Sequence, residues 1–350
     1  MAGPACVRSA FFFLKVLPML PSGFVDRVTG QPVREQVAFS TDYGCGSGDI
    51  YLPAKPGKYP GIVVCLGVVP FGFDRPQVPR LGAALAQSGF AALLFQSPHM
   101  QDYRLDPEDI GNVAAAYDYL IEQPYVRAER SGLLGTCVGG GFVLLAAAHP
   151  AIRDKVRFVA AFAPFASMQH LAPEIASSRC VYDDNDEYWP VDQLTRKVFI
   201  HSLTEVLDED EREALREKFA DGNLEMELPG LSPDGEAIRR LLAALDYRNA
   251  LAAYEQLPAE LLKRMTAMSP LLSLEDIHAG LIVIGHDRDD KVLPVGESRS
   301  MAGALRGHPG VHYTEFGMFQ HADPTKRKLS PFRLLWELSK FYRYVYPIFR

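Results

Sequence analysis

Ser131-Gly132-Leu133-Leu134-Gly135-Thr136-Cys137-Val138-Gly139-Gly140-Gly141-Phe142-Val143-Leu144-Leu145-Ala146-Ala147-Ala148 reads as a short strand, a glycine-rich turn and an apolar helix in direct succession. A reactive side chain held at the tip of so sharp a turn needs very small residues two positions away on either side. A Cβ there would strike the adjoining strand or helix. Gly135 and Gly139 meet that need around Cys137. The helix that follows brings its positive end and free backbone N–H groups, which stabilise a thiolate and later an oxyanion. The plainer alternative is a buried structural cysteine in a Gly-rich turn. Everything else in the sequence bears on which of the two Cys137 is.

Working outward, short apolar runs alternate with helical patterns, the signature of βαβ units and a mostly parallel sheet. Asp49–Leu52, Ile62–Leu66, Phe90–Phe95, Ser131–Leu134 and Val156–Phe162 read as strands, and Arg80–Ser88 and a helix opened by Pro107 lie between them. Ile62–Leu66 is a continuous apolar run, as expected of a strand buried on both faces. From about residue 166 to 278 the rhythm changes: Lys197–His201 is the single strand-like run, and Glu209–Phe219 and Gly235–Met268 are helical. Alternation resumes with strand Leu281–Gly285, helix Ser298–Leu305, strand Val311–Phe316 and helix Pro331–Tyr344. The expected organisation is an N-terminal extension (1–48), an α/β core (49–165 and 279–350) and a mostly helical cap (166–278) over the carboxyl ends of the strands, where open parallel sheets bind ligands.

A nucleophile needs a base, and the base needs an orienting group. The order nucleophile, acid, histidine along the chain is one on which such triads are built. After strand Leu281–Gly285 comes His286-Asp287-Arg288-Asp289-Asp290-Lys291-Val292-Leu293-Pro294, and Asp289 is the expected acid, with Asp290 and Asp287 as alternatives. Turn chemistry and capping are the ordinary uses of such aspartates. After strand Val311–Phe316, the loop Gly317-Met318-Phe319-Gln320-His321-Ala322-Asp323 puts His321 where the base belongs. His312 lies inside that strand, His308 precedes it, and His99 follows Phe90–Phe95 with an ordinary loop role. For the oxyanion, one donor is the N–H of Val138. The second comes from Gly67-Val68-Val69-Pro70-Phe71-Gly72, with Val68 as first choice.

These stretches resemble the α/β-hydrolase superfamily and, within it, the dienelactone hydrolase-like group. The likeness rests on Tyr59 to Gly67, on Asp109 to Cys137 with the glycines that follow, on Gly285 to Pro294, and on His321, and spans about 49–165 and 279–345. It implies an α/β-hydrolase fold and a Cys–His–Asp triad of Cys137, His321 and Asp289 that cleaves esters or opens lactones. The long N-terminal extension and the insertion depart from the compact members of the group.

Three functions follow as alternatives. The first is hydrolysis of an ester, lactone or thioester through an acyl-cysteine. Leu241, Leu242, Leu245, Leu251 and Met265 in the insertion point there to a hydrophobic substrate. The second is acyl transfer from the same intermediate to an amine or alcohol. The third is a hydrolase fold that only binds. No dinucleotide or phosphate-loop motif is present, so no cofactor is expected. His286-Asp287-Arg288-Asp289 is accounted for by triad chemistry without a metal. A net charge of −7 over 350 residues excludes a nucleic-acid footprint, and the acidic runs Asp183–Glu187 and Glu205–Glu213 read as solvated surface. The five cysteines (Cys6, Cys45, Cys65, Cys137 and Cys180) are odd in number and widely spaced, with no CxxC, which suits a reducing cytoplasm. Arg8 with Ala10–Leu14 has a hint of a signal peptide, interrupted by Lys15, Pro18 and Pro21. The aromatic and basic end, Phe341 to Arg350, suits either a peripheral membrane contact or, more plainly, packing on the domain or on a second copy in a homodimer.

Overall fold

The computed structural model of the chain describes residues 4–17, 20–70, 72–182, 185–319, 321 and 329–350. The chain opens with α1 (Ala5–Val16) and α2 (Gly23–Thr29), then a hairpin of β1 (Val33–Thr41) and β2 (Gly44–Leu52). Next come β3 (Tyr59–Cys65), α3 (Gln77–Gln87), β4 (Ala91–Gln96), the single turn α4 (Pro98–Gln101) and α5 (Glu108–Ile121). They are followed by β5 (Val126–Thr136), α6 (Val138–Ala148) and β6 (Phe158–Phe162). The segment after β6 holds α7 (Met168–Ser177), the hairpin β7 (Arg179–Tyr182) and β8 (Asn185–Tyr188), α8 (Gln193–Thr204) and α9 (Glu209–Phe219). It continues through α10 (Pro233–Leu242), α11 (Tyr247–Tyr254) and α12 (Ala259–Ala267). The chain then returns to β9 (Leu281–Asp287), α13 (Val295–Ala304), β10 (Val311–Phe316) and α14 (Pro331–Val345).

Among the described residues the main sheet has eight strands in the order β1-β2-β4-β3-β5-β6-β9-β10. From β4 to β10 every pairing is parallel, while β2 pairs antiparallel with both β1 and β4. Strand residues alternate between faces, so a strand covered on both sides is apolar throughout. In β3, Val63 and Cys65 enter one buried cluster while Ile62 and Val64 enter the other. Helices cover both faces. This is the α/β-hydrolase architecture, a mostly parallel sheet flanked by helices.

Two expectations change. The sheet reaches back to Val33, sixteen residues before the expected start of the core at 49. The run Gly44-Cys45-Gly46-Ser47-Gly48 carries almost no side-chain signal, and its strand identity comes from backbone pairing to β1 and β4. Lys197–His201 is helix, not strand. The Asp192 carboxylate caps α8 by accepting the Leu194 N–H, and Val198, Phe199, Ile200 and Leu203 are buried on the helix. A three-residue apolar run fits either period, and the cap decides it.

The N-terminal helix is packed on the sheet layer. Arg8 in α1 is buried, and its guanidinium donates to the carbonyls of Ser88, Phe349 and Gly89. It also lies over the rings of Phe90 and Phe349, 5.1 and 5.5 Å from their centroids. Burial, with Arg130 and Arg127 nearby, pushes its pKa down to about 10, so the group remains charged at neutral pH. Arg8 therefore ties both chain ends to the α3–β4 turn. Arg8→Ala leaves three carbonyls without their donor, and urea denaturation is expected to show a loss of about 2–4 kcal/mol.

Candidate active site

The turn joining β5 to α6 holds Cys137 at φ 57° and ψ −136°, a left-handed conformation that a residue with a side chain adopts only under constraint. The constraint is visible on every side. Cys137 donates its N–H to the Phe162 carbonyl at 2.9 Å and accepts from Gly140 N–H at 2.8 Å. The Thr136 hydroxyl donates to the Leu66 carbonyl at 3.0 Å, fixing the turn to the end of β3. A Cβ on Gly135 would collide with the Gly139 carbonyl, and one on Gly139 would collide with the Cys65 carbonyl. Both glycines are therefore required by close backbone approach. As the first residue of α6, Val138 has an N–H with no helical acceptor. Gly67, at φ 77°, brings the loop after β3 against Val138 and Gly139, so Val68 borders the same turn.

His321 is hydrogen-bonded to the Cys137 side chain and, through Nδ1, to Asp290 Oδ2 at 2.9 Å. Burial works against its charged form, but Cys137 and Asp290 outweigh burial and raise it well above the usual histidine value. Burial likewise tends to raise the Asp290 carboxyl. The charge and hydrogen bond of His321, the nearby His286 and the Val292 N–H overcome that and hold it below the usual range. Asp290 Oδ1 accepts from Val292 N–H at 2.7 Å and Leu293 N–H at 3.2 Å, so both its oxygens have partners. His321 thus stands between the Cys137 side chain and the Asp290 carboxylate.

The acid facing His321 is Asp290, in place of the expected Asp289. Asp289 is exposed on the turn, its N–H donating to Asp287 Oδ1 at 3.1 Å. Asp287 is fully buried and accepts the Phe319 N–H at 2.7 Å, which pins the loop before His321. Neighbours in so tight a turn point to opposite sides, and sequence spacing alone does not say which side faces inward. His286 was not expected to contribute. It is fully buried, with Nδ1 at 2.6 Å from the Ser298 hydroxyl, Nε2 at 3.0 Å from the Leu293 carbonyl, and Asp290 Oδ2 at 3.6 Å. Burial lowers its pKa, so the ring is neutral and braces the turn through hydrogen bonds. Its signal in the sequence was the His-x-x-x-Asp spacing at a strand end. Phe71, Gln320, Ala322 and Asp323, expected to border the site, lie outside the described residues.

The remaining histidines are elsewhere. His99 Nδ1 lies 3.2 Å from Asp109, and His312 is exposed on β10. The segment between β6 and β9 rests on the acid's turn. Trp189 Nε1 donates to the Asp290 carbonyl, Asp192 N–H to the Lys291 carbonyl, and the Thr195 hydroxyl to the Val292 carbonyl. Leu241, Leu242 and Met265 are buried in the core, while Leu245 is 90% exposed. These residues stabilise the segment itself and provide no evidence for an apolar substrate surface.

No protein-family model matches the chain. A stretch of 121 residues is 34% identical to a probable 2-oxo-3-(5-oxofuran-2-ylidene)propanoate lactonase of Bradyrhizobium sp, covering 30% of this chain and 48% of that protein. An uncharacterised protein of Pseudomonas aeruginosa is 32% identical over 124 residues, 32% of this chain and 33% of that one. The matches therefore span less than half the length of either curated relative. Among solved structures, Pyrococcus horikoshii acylaminoacyl peptidase aligns with a TM-score of 0.55 at 14% identity, over 92% of this chain and 42% of that one. A 2,6-dihydroxy-pseudo-oxynicotine hydrolase aligns with a TM-score of 0.54 at 14% identity, over 91% and 68%. At such identities the likeness is one of fold.

Burial pushes Glu297 up to about 7 although it accepts the N–H groups of Ser167 and Ala166. Burial, with Glu297 beside it, pushes Glu174 up to about 8. Both carboxyls thus hold protons in the fold that the unfolded chain releases above about 4.5. Stability must then fall as pH rises through this window. His321 acts in the same direction, because a raised histidine loses its stabilising charge as pH rises past its folded value. Differential scanning fluorimetry from mildly acidic to mildly alkaline pH is expected to show a falling melting temperature. Glu174→Gln, which keeps the acceptor for the Val181 N–H, is expected to flatten that fall.

Proposed function

We propose that this chain is a hydrolase of carboxylic esters or lactones that works through an acyl-cysteine on Cys137. The observation that carries this reading is His321 bridging the Cys137 side chain and the buried Asp290. Asp290 holds the Nδ1–H of His321, so that Nε2 is the nitrogen that exchanges a proton with the Cys137 side chain. The thiolate attacks the carbonyl carbon, and the oxyanion is received by the N–H of Val138 and, as second donor, of Val68. His321 then protonates the departing alkoxide. In a lactone that alkoxide stays tethered to the acyl group. A water deprotonated by His321 attacks the thioester carbon, releases the acid, and the thiol recovers its proton.

Support comes from the strained turn, which exposes Cys137 at the carboxyl ends of the parallel strands, where ligands of such sheets bind. The partial likeness to a lactonase favours the lactone branch. The segment between β6 and β9 is the proposed cap, since it rests on the turn bearing Asp290. A reducing compartment such as the cytoplasm keeps the thiol free.

Hydrolysis of a p-nitrophenyl ester and of a simple aromatic lactone tests the proposal. Cys137→Ala is expected to abolish the p-nitrophenol burst, and His321→Ala and Asp290→Asn to lower kcat by about a thousandfold or more. Asp289→Asn is expected to stay within about threefold of wild type, since surface changes away from the machinery have small effects. Full activity in Cys137→Ala overturns the mechanism. Product forming only when an amine or alcohol acceptor is added redirects it to acyl transfer.

A further inference from the structure

A cavity of about 470 Å³ lies away from the triad, lined by Gln101, Asp102, Tyr103, Arg104, His201, Glu205, Arg212 and Arg216. Its floor is the loop after β4 and its walls are α8 and α9, so it sits where the proposed cap meets the core. In the sheet β4 is separated from β5 by β3, so the strand that leads into this loop runs about 10 Å from the Cys137 strand.

Three guanidiniums converge here on one carboxylate. Arg216 donates to the Thr204 hydroxyl, the His201 carbonyl and Glu205 Oε2 at 2.9, 3.1 and 3.0 Å. Arg104 and Arg212 are different. They face Glu205 Oε1 at 3.4 and 3.8 Å, and Arg104 has Asp106 at 3.8 Å, but neither side chain makes a hydrogen bond among the described residues. Asp106 is already taken by Arg264 at 2.8 Å. Both open guanidiniums are about three-quarters buried, with side-chain exposures of 24% and 26%, so their donors are costly to leave unmet. Lys197 adds a further positive charge over the Tyr103 ring at 4.8 Å. Asp102 is the other acid in the lining, and it is exposed.

The backbone supports the same reading. Tyr103 sits at φ 58°, a conformation that a tyrosine holds only when its surroundings impose it. The Ser202 hydroxyl of α8 accepts the Leu105 N–H at 2.8 Å, locking the loop to the helix and aiming Arg104 across the cavity. His201 gives a second sign of positive potential: burial first, then Arg216 and Lys197, lower it to about 4.

We infer that this cavity is a binding site for a doubly charged oxyanion, a phosphoryl or dicarboxylate group. Its oxygens bond to Arg104 and Arg212, and Glu205 holds the place when the site is empty. Guanidinium forks fit such groups two oxygens at a time, which a single Glu205 oxygen beyond 3 Å does not satisfy. The inference does not depend on the reaction proposed for Cys137.

Isothermal titration of the full chain with inorganic phosphate and with glutarate, in low-salt buffer, tests it. One or both are expected to bind, and whichever binds more tightly identifies the phosphoryl or the carboxylate as the natural group. Arg104→Gln and Arg212→Gln are each expected to weaken binding at least about tenfold. Glu205→Gln, which removes the competing charge, is expected to tighten it several-fold. Binding is also expected to persist in Cys137→Ala, which separates this site from the oxyanion donors of the triad. No binding of either anion by the folded wild type, binding unchanged in both arginine variants, or binding lost in Cys137→Ala would each overturn the inference.

Discussion

The backbone of Cys137 in the left-handed region is the constraint on which the rest of the site depends. An unsupported chain relaxes out of that conformation, at a gain of order 1–3 kcal/mol. Here β5 delivers the residue, α6 leaves from it at once, and the ends of β3 and β6 close on it through Leu66 and Phe162. The same contacts that hold the strain place the Val138 N–H at the start of α6, where no helical acceptor reaches it. Position, strain and electrostatics therefore come from one turn rather than from separate devices.

The partners of Cys137 are built on a different principle. His321 and Asp290 stand on loops after β10 and β9, and loops need bracing. Asp287 supplies it by accepting the N–H groups of Phe319 and Asp289, joining the two loops at their roots. His286, neutral and buried between Ser298 and the Leu293 carbonyl, fixes the far side of the acid's turn. Trp189, Asp192 and Thr195 from the segment after β6 bond the carbonyls of residues 290–292 from above. The acid is thus held by three separate parts of the chain.

Charge is distributed unevenly around this centre. Behind it, Glu174 and Glu297 are carboxyls whose pKa values burial pushes up. Where the loop after β4 meets α8 and α9, three arginines face Glu205. Between the two lies His321, which Cys137 and Asp290 raise well above the usual histidine value. The termini take no part in this; α1 and α14 pack together through Phe13 with Phe341 and Tyr342 on the opposite face.

What the sequence determined by itself was whatever local pattern encodes. The alternation of apolar runs and helical periods set the sheet-and-helix architecture. Gly135 and Gly139 marked the turn, and the order along the chain singled out Cys137 and His321. Those signals are short in range, so they survive in a linear reading. Tertiary structure alone decided the rest. Asp290 and Asp289 are adjacent and chemically identical, and only the packing of the turn against His286 and the Val292 and Leu293 N–H groups buries one and exposes the other. The Gly44–Gly48 run becomes a strand because two neighbours pair with its backbone, which leaves no mark in side-chain pattern. The convergence of Arg104, Arg212 and Arg216 joins residues more than a hundred positions apart, and distance in space is the one quantity a sequence does not carry.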